Sequence, residues 1–364
     1  MKHLSVLGLV LLLSTAQAQT PTGLTFDELV EETGVELGPT AMRERSGWRT
    51  PKKVVLRNLG LPMDAIRAAV PELEIVEVSS AAEAAQYALT ADAIIGTCAP
   101  EAIELAPNLQ WVQIYWAGVE GCVKTPKISN GSVVLTNMQK MSSPVLAEHM
   151  IAMTLSLGRA LPQYTRRMAD GVWQRDLTPR MQSVAGKTML VVGLGGIGTE
   201  VARRAEALGM RVIGTRRSRR DAPNFVDYVG LSDELPTLIA EADYVLNALP
   251  LTDETADLFD ADMFARMQPG AYYLNVGRGG TVVTSDLMAA LESGHLAGAG
   301  LDVTDPEPLP ADHPLWQFDN VIITPHVAGS GSNRERHLVL LIENLRRFAA
   351  GEALYNVVDP DDGY

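Results

Sequence analysis

The chain has 364 residues, enough for two separate cores, with 46% hydrophobic and 20% charged residues. Its formal charge of −14 argues against nucleic acid as the main partner and against adsorption to an anionic membrane surface, although a local arginine cluster can still hold a small anion. What remains is an ordinary soluble globular protein.

The first residues read as an export signal. MKH supplies a positive start, Leu4 to Leu13 is an apolar run broken only by Ser5 and Gly8, and Ala16 and Ala18 stand in an A-x-A arrangement. That layout predicts a signal peptide, 1–18, cut after Ala18. The apolar run is shorter than the roughly 20 residues a bilayer span needs. No twin-arginine pair precedes it, so the general secretory route is expected, and a periplasmic protein if the source is bacterial. An N-terminal extension, 19–49, follows.

From Pro51 on, short β-branched runs alternate with helical stretches. KKVVLRN, ELEIVEV, ADAIIG and LQWVQIYW read as strands, with MDAIRAAV and AAEAAQYAL as helices between them. Such alternation predicts a parallel sheet with helices on both faces. The chain's two cysteines, Cys98 and Cys122, fall here, too few for a zinc pattern and not in a C-x-x-C motif, and no metal is expected. Export permits a disulfide, and parallel neighbouring strands would put both thiols at one sheet edge. The distance requirement is tight, so separate thiols are expected rather than a bridge.

Ser142-Ser143-Pro144 then opens a long apolar stretch, VLAEHMIAMTLSLGRALPQY, with Ser143 as N-cap and Pro144 at the first helical position. This predicts a buried helix connecting two domains. The irregular segment after it, RRMADGVWQRDLTPRMQSVAG, carries Trp173 and several arginines; it is either an arm toward a second subunit or a surface loop. A second alternation begins at Lys187, with strands TMLVVG, RVIGT, DYVLNAL, AYYLNV, GAGLDV and NVIITP, and predicts a second doubly wound domain. A last helix, RERHLVLLIENLRRFAAG, should pack by one face.

GLGGIG fits G-x-G-x-x-G through Gly193, Gly195 and Gly198, with Gly196 and Ile197 between them. The pattern alone is weak, but here it follows a strand and opens a helical run that leads to another strand. Gly193 permits the tight turn, Gly195 lets backbone approach a pyrophosphate, and Gly198 lets helix pack on strand. The helix N-terminus then offers amide N–H groups to the phosphates. At the end of the second strand an NAD site wants Asp or Glu for the ribose hydroxyl. This chain has Arg216, Arg217, Ser218, Arg219 and Arg220 there, with no carboxylate until Asp221. Arginine forks suit a 2′-phosphate, so NADP is expected over NAD; the alternative is that the arginines form a solvated turn and either cofactor serves.

Three polar groups follow apolar strands in the C-terminal half: Arg278 in NVGRGG, Glu307 in LDVTDPEPLP, and His326 in ITPHVAG. Each alone has an ordinary reading as surface charge or loop residue. Together, beside a dinucleotide fold, they suit hydride transfer to a carbonyl. Histidine, with a pKa near neutrality, donates the proton that the carbonyl oxygen needs; a carboxylate beside it orients it; a guanidinium binds and polarises an oxo acid.

These motifs resemble those of the D-isomer-specific 2-hydroxyacid dehydrogenase family. The similarity covers nearly the whole chain after residue 50, through AEHMIAMTLSLGR, GKTMLVVGLGGIG, NALPLTDETADLF, LNVGRGGTVV, LDVTDPEPLPADHPLW and NVIITPHVAG. The resemblance implies an α/β protein of two doubly wound parallel-sheet domains: a flavodoxin-like substrate domain, 50–141 plus 330–364, and an NAD(P)-binding Rossmann domain, 142–329. It implies that Arg278 binds substrate, that Glu307 is the acidic partner, and that His326 is the acid/base. It further implies that the backbone amides of Ala117, Gly118 and Val119 meet the substrate carboxylate, that Leu249, Pro250, Val276 and Asp302 touch the cofactor, and that the enzyme is a homodimer. Tyr115 and Trp116 stand before the substrate loop and would crowd it, or else pack in the core. Small 2-oxo acids such as glyoxylate or hydroxypyruvate are therefore the preferred substrates. Because exported proteins meet little free nicotinamide cofactor, a non-catalytic, dinucleotide-responsive binding protein on the same fold is the alternative.

Overall fold

The computed structural model describes residues 23–331 and 334–360; the expected signal peptide, 1–18, lies outside them. Near the N-terminus, β1 (Lys53–Arg57), β2 (Glu74–Val78), β3 (Ala93–Ile95), β4 (Trp111–Gln113) and β5 (Val134–Thr136) form one sheet in the order β2-β1-β3-β4-β5. All its pairings are parallel, with Val55 beside Val76 on one side and Ile94 on the other. This is a flavodoxin-like order. Val54, Val55 and Leu56 are fully buried in succession, because helices cover both faces and an unbroken apolar run replaces alternation.

The second sheet holds β6 (Thr188–Val192), β7 (Arg211–Thr215), β8 (Tyr228–Gly230), β9 (Tyr244–Asn247), β10 (Ala271–Asn275), β11 (Leu296–Leu301) and β12 (Val321–Ile323). Their order is β12-β11-β10-β9-β6-β7-β8, again all parallel. The order reverses at β6, which lies between β7 and β9, and this opens a crevice beyond the strands' carboxyl ends. Two of the twelve strands among the described residues, β5 and β8, stand where no strand was expected; each has three residues.

The connecting helix is Ser143–Gly158, and Ser142, not Ser143, is its N-cap; the Ser142 side chain makes no capping bond. The helix is apolar on most sides because it packs on helix Gly196–Ala207 and on the second sheet at once. It stops where Ala160 takes a left-handed conformation, φ 52°, and Pro162 starts the helix Leu161–Ala169. Beyond that helix Trp173 is 95% exposed.

The last helix, Arg334–Ala350, returns to the first sheet. Its Leu338, Leu341, Leu345 and Phe348 share a core with Val54, Leu56 and Trp111. On it lies helix Phe26–Thr33, opened by a reciprocal Thr25–Glu28 capping box. Glu32 pairs with Arg336 at 2.7 Å, and the Leu24 N–H donates to Glu335 at 2.9 Å. Lys140, three residues before the connecting helix, donates to the Gly34 carbonyl and pairs with Glu36. The extension is thus pinned beside both places where the chain passes between sheets.

The cysteines correct an expectation. Cys98 and Cys122 are bonded, with Cα atoms 5.7 Å apart. Because β3 and β4 are parallel neighbours, the loops at their carboxyl ends emerge side by side, within bridging range.

Candidate active site

The two sheets face each other across a cleft of about 2000 Å³. The turn after β6 forms its floor. Gly193 has φ +96°, a conformation side chains avoid, and a Cβ on Gly198 would stand 2.1 Å from the Gly193 carbonyl oxygen. Gly195 is the N-cap of helix Gly196–Ala207, and a Cβ there would meet nothing within 4 Å. That open space lies at a helix N-terminus, where amide N–H groups attract phosphate. Gly196 and Ile197 line the same floor.

Arg216, Arg217, Ser218 and Arg219 line the cleft at the end of β7. Arg220 turns aside to Glu234, at 2.6 Å. Glu234 is held down at about 2 by the Leu231 amide, the Tyr228 hydroxyl and Arg220. Arg216 approaches Asp221 at 3.9 Å, while its Nε is buried with no hydrogen-bond partner. A buried guanidinium N–H without an acceptor is costly, so the residues present fit an anionic group at this strand end.

Three further strand ends supply the chemistry. After β12, Thr324 and Pro325 lead to His326, which is left-handed with φ 53°. Its amide donates to the Asp302 carbonyl at 2.8 Å. Asp302, buried at the end of β11, accepts through its carboxylate from the Val327 and Ala328 amides and, at 2.6 Å, from the Thr324 hydroxyl. The turn is therefore held by one buried carboxylate, which offsets the strain of a non-glycine left-handed residue. His326 Nδ1 donates to Glu307 Oε1 at 2.7 Å. His326 lines the cleft and Glu307 stands behind it, so Nε2 is the ring nitrogen available to a ligand.

Arg278 follows β10. Its carbonyl accepts from Thr281 Oγ1 at 2.7 Å and from Asn275 Nδ2 at 3.2 Å, and Asn247 ties to the same Thr281 hydroxyl. The Arg278 guanidinium reaches across the cleft: Nε donates to Glu120 at 2.9 Å, and a Cβ on Gly118 would stand 1.9 Å from its terminal nitrogen. The substrate loop is held by its carbonyls. Trp116 O accepts from the Met138 amide, Ala117 O from Asn137, and Val119 O from the Cys122 amide. Among the described residues, the Ala117, Gly118 and Val119 N–H groups donate to none. Leu249, Pro250 and Val276 complete the wall, with Tyr115 and Trp116 beside the loop. Burial pushes the Tyr115 hydroxyl up; Trp116 is half-exposed.

All the expected site residues except Glu307 line this one cleft. Sequence reasoning missed Glu120, the Asn247–Thr281–Asn275 set that holds Arg278, and His149, whose Nε2 lies 3.0 Å from Thr324 Oγ1. Only His149 had a signal, being a histidine on an apolar helix.

The fold and motifs agree with comparisons to known proteins. Residues 151–328 match the family model described as D-isomer specific 2-hydroxyacid dehydrogenase, NAD binding domain. The glyoxylate reductase of Korarchaeum cryptofilum is 33% identical over 268 residues, 72% of this chain and 79% of that protein. The chain belongs to the D-isomer-specific 2-hydroxyacid dehydrogenase family. The glyoxylate/hydroxypyruvate reductase B of Citrobacter koseri, another relative, is 35% identical over 234 residues, 63% of this chain and 72% of its own length. Among solved structures, an NADPH-dependent glyoxylate/hydroxypyruvate reductase from Sinorhizobium meliloti, in complex with NADP and sulfate, aligns with a TM-score of 0.74 at 30% identity. It covers 86% of this chain and 100% of its own. The protein is thus an NAD(P)-dependent 2-hydroxyacid dehydrogenase, an oxidoreductase that transfers hydride.

Proposed function

We propose that this dehydrogenase reduces small 2-oxo acids of the glyoxylate and hydroxypyruvate kind, prefers NADPH, and works as an exported homodimer. The observation that carries the reaction is the 2.7 Å bond from His326 Nδ1 to Glu307 beside a cleft shared with Arg278.

The dinucleotide, when bound, supplies the hydride. Gly195, Gly196 and Ile197 would hold its pyrophosphate, and Arg216 with Ser218 its 2′-phosphate. Free N–H groups of Ala117, Gly118 and Val119 take the substrate carboxylate, while Arg278 binds and polarises the carbonyl. Glu307 fixes the imidazole so that Nε2 delivers a proton to the carbonyl oxygen as negative charge develops there. The result is a 2-hydroxy acid. In the reverse direction Nε2 takes the proton back.

Substrate choice is supported by relatives named glyoxylate reductase and by aromatic crowding at Tyr115 and Trp116. Cofactor choice is supported by the unpartnered Arg216 Nε and by neighbours solved with NADPH or NADP. A dimer suits the exposed apolar set Leu161, Met168, Val172 and Trp173. Export suits both the N-terminal layout and the Cys98–Cys122 bond.

The test is a kinetic panel on residues 19–364 with both cofactors. NADPH oxidation by glyoxylate or hydroxypyruvate is expected, with kcat lowered by about 10²- to 10⁴-fold in His326→Ala. A clear preference for NADH overturns the cofactor assignment, and an unimpaired His326→Ala overturns the mechanism. Light scattering that reads a monomer mass, or a secreted protein whose N-terminus is not Gln19, removes the assembly or the processing.

A further inference from the structure

We infer that Glu120 is a charge filter that makes the site select monoanionic 2-oxo acids over dianionic ones; this rests on the reading of the cleft as a 2-oxo acid site. Glu120 lies in the substrate loop, two residues after Gly118, and accepts from Arg278 Nε at 2.9 Å across the cleft. Its other oxygen and the Arg278 terminal nitrogen both close over Gly118: a Cβ built there would stand 2.8 Å from the first and 1.9 Å from the second. Arg278 NH1 is also committed, donating to its own neighbour's carbonyl, Gly277 O, at 2.8 Å.

Two consequences follow from that geometry. First, with Nε bound to Glu120 and NH1 to Gly277 O, the nitrogen left for substrate is NH2, which lies over Gly118 in the loop whose amides are free. Glu120 therefore sets which edge of Arg278 a substrate meets. Second, the carboxylate offsets part of the charge of Arg278 before any substrate arrives. One anionic group is welcomed by the loop amides and by the remaining guanidinium donors. A second carboxylate on the substrate would face Glu120 Oε2, the oxygen that Arg278 Nε does not bind, and like charges at close range repel. A neutral or hydroxyl-bearing C3 group meets no such cost, and a hydroxyl can donate to Glu120 Oε2. The favoured class is then glyoxylate, pyruvate and hydroxypyruvate, and the disfavoured class is dicarboxylic 2-oxo acids such as oxaloacetate.

The two functions of Glu120, hydrogen bond and charge, separate by mutation. Glu120 is only partly buried, with 38% of its side chain exposed, so conservative variants are expected to fold. Glu120→Gln keeps an acceptor for Arg278 Nε and removes the charge. Glu120→Asp keeps the charge on a shorter arm. The experiment measures kcat/KM for glyoxylate and oxaloacetate, with NADPH, in the wild type and both variants. In Glu120→Gln the oxaloacetate-to-glyoxylate ratio should rise on the order of tenfold or more, the effect of removing one unit charge near a half-exposed site. In Glu120→Asp the ratio should stay closer to the wild type. Raising the salt concentration should narrow the wild-type discrimination and leave that of Glu120→Gln nearly flat. A loop that was only destabilised would lower both substrates together and shift no ratio. An unchanged ratio in Glu120→Gln, with glyoxylate still turned over, overturns the filter alone. A wild type that reduces neither acid overturns the proposed function, and the filter with it.

Discussion

Asp302 shows how much one buried side chain can organise. Its carboxylate gathers the Val327 and Ala328 amides and the Thr324 hydroxyl, and Thr324 in turn meets His149 from the connecting helix. His326 does not touch this carboxylate; it is aimed by the turn that the carboxylate holds. Thr324→Val keeps the shape and removes the bridge between Asp302 and His149. Loss of a buried hydrogen bond to a charged acceptor should cost about 1–3 kcal/mol of stability. Because the affected turn carries His326, kcat should fall more than KM rises; a thermal melt and a saturation curve check both. At this scale the sequence was read unevenly. Arg278, Glu307 and His326 were named as candidates from short motifs that follow strands, whereas Glu120 was not. It meets Arg278 from 158 positions away, and no local pattern encodes which loop of the other sheet a guanidinium will reach.

At the scale of elements, the turn after β6 was fully legible because strand, glycine turn and helix are contiguous. β5 and β8 were missed, since three residues are too few for any periodicity to register. The Cys98–Cys122 bond was also missed, because it depends on the separation of two loops rather than on either one. That bond joins the loop after β3 to the loop that carries Ala117–Glu120, on the wall of the cleft. With the cysteines 24 positions apart, closing the loop should be worth about 3.5 kcal/mol through the unfolded chain. Reduction, or the double change Cys98→Ser with Cys122→Ser, should lower the melting temperature and raise KM for the oxo acid. Affinity for NADPH, measured by fluorescence of the binary complex, should hardly move, since the dinucleotide floor belongs to the other sheet. An equal loss of both affinities would show that the bond serves the whole fold and not the loop.

At the scale of the molecule, the first sheet is assembled from both ends of the chain. Residues 54–56 and 111 share a core with Leu338, Leu341, Leu345 and Phe348, with the whole second sheet inserted between them in sequence. The second sheet is continuous, so it holds all it needs by about residue 330. A chain ended at 333 should keep a dinucleotide-binding half and expose the apolar face that the last helix covers; limited proteolysis should digest its first 140 residues and spare the rest. The same arrangement sets an order of events during synthesis. The half that emerges first from the ribosome cannot finish until the half that emerges last has followed, so for most of translation its apolar strands stay uncovered. For the export route proposed above, that delay would keep the chain open for passage across a membrane, until the last helix arrives.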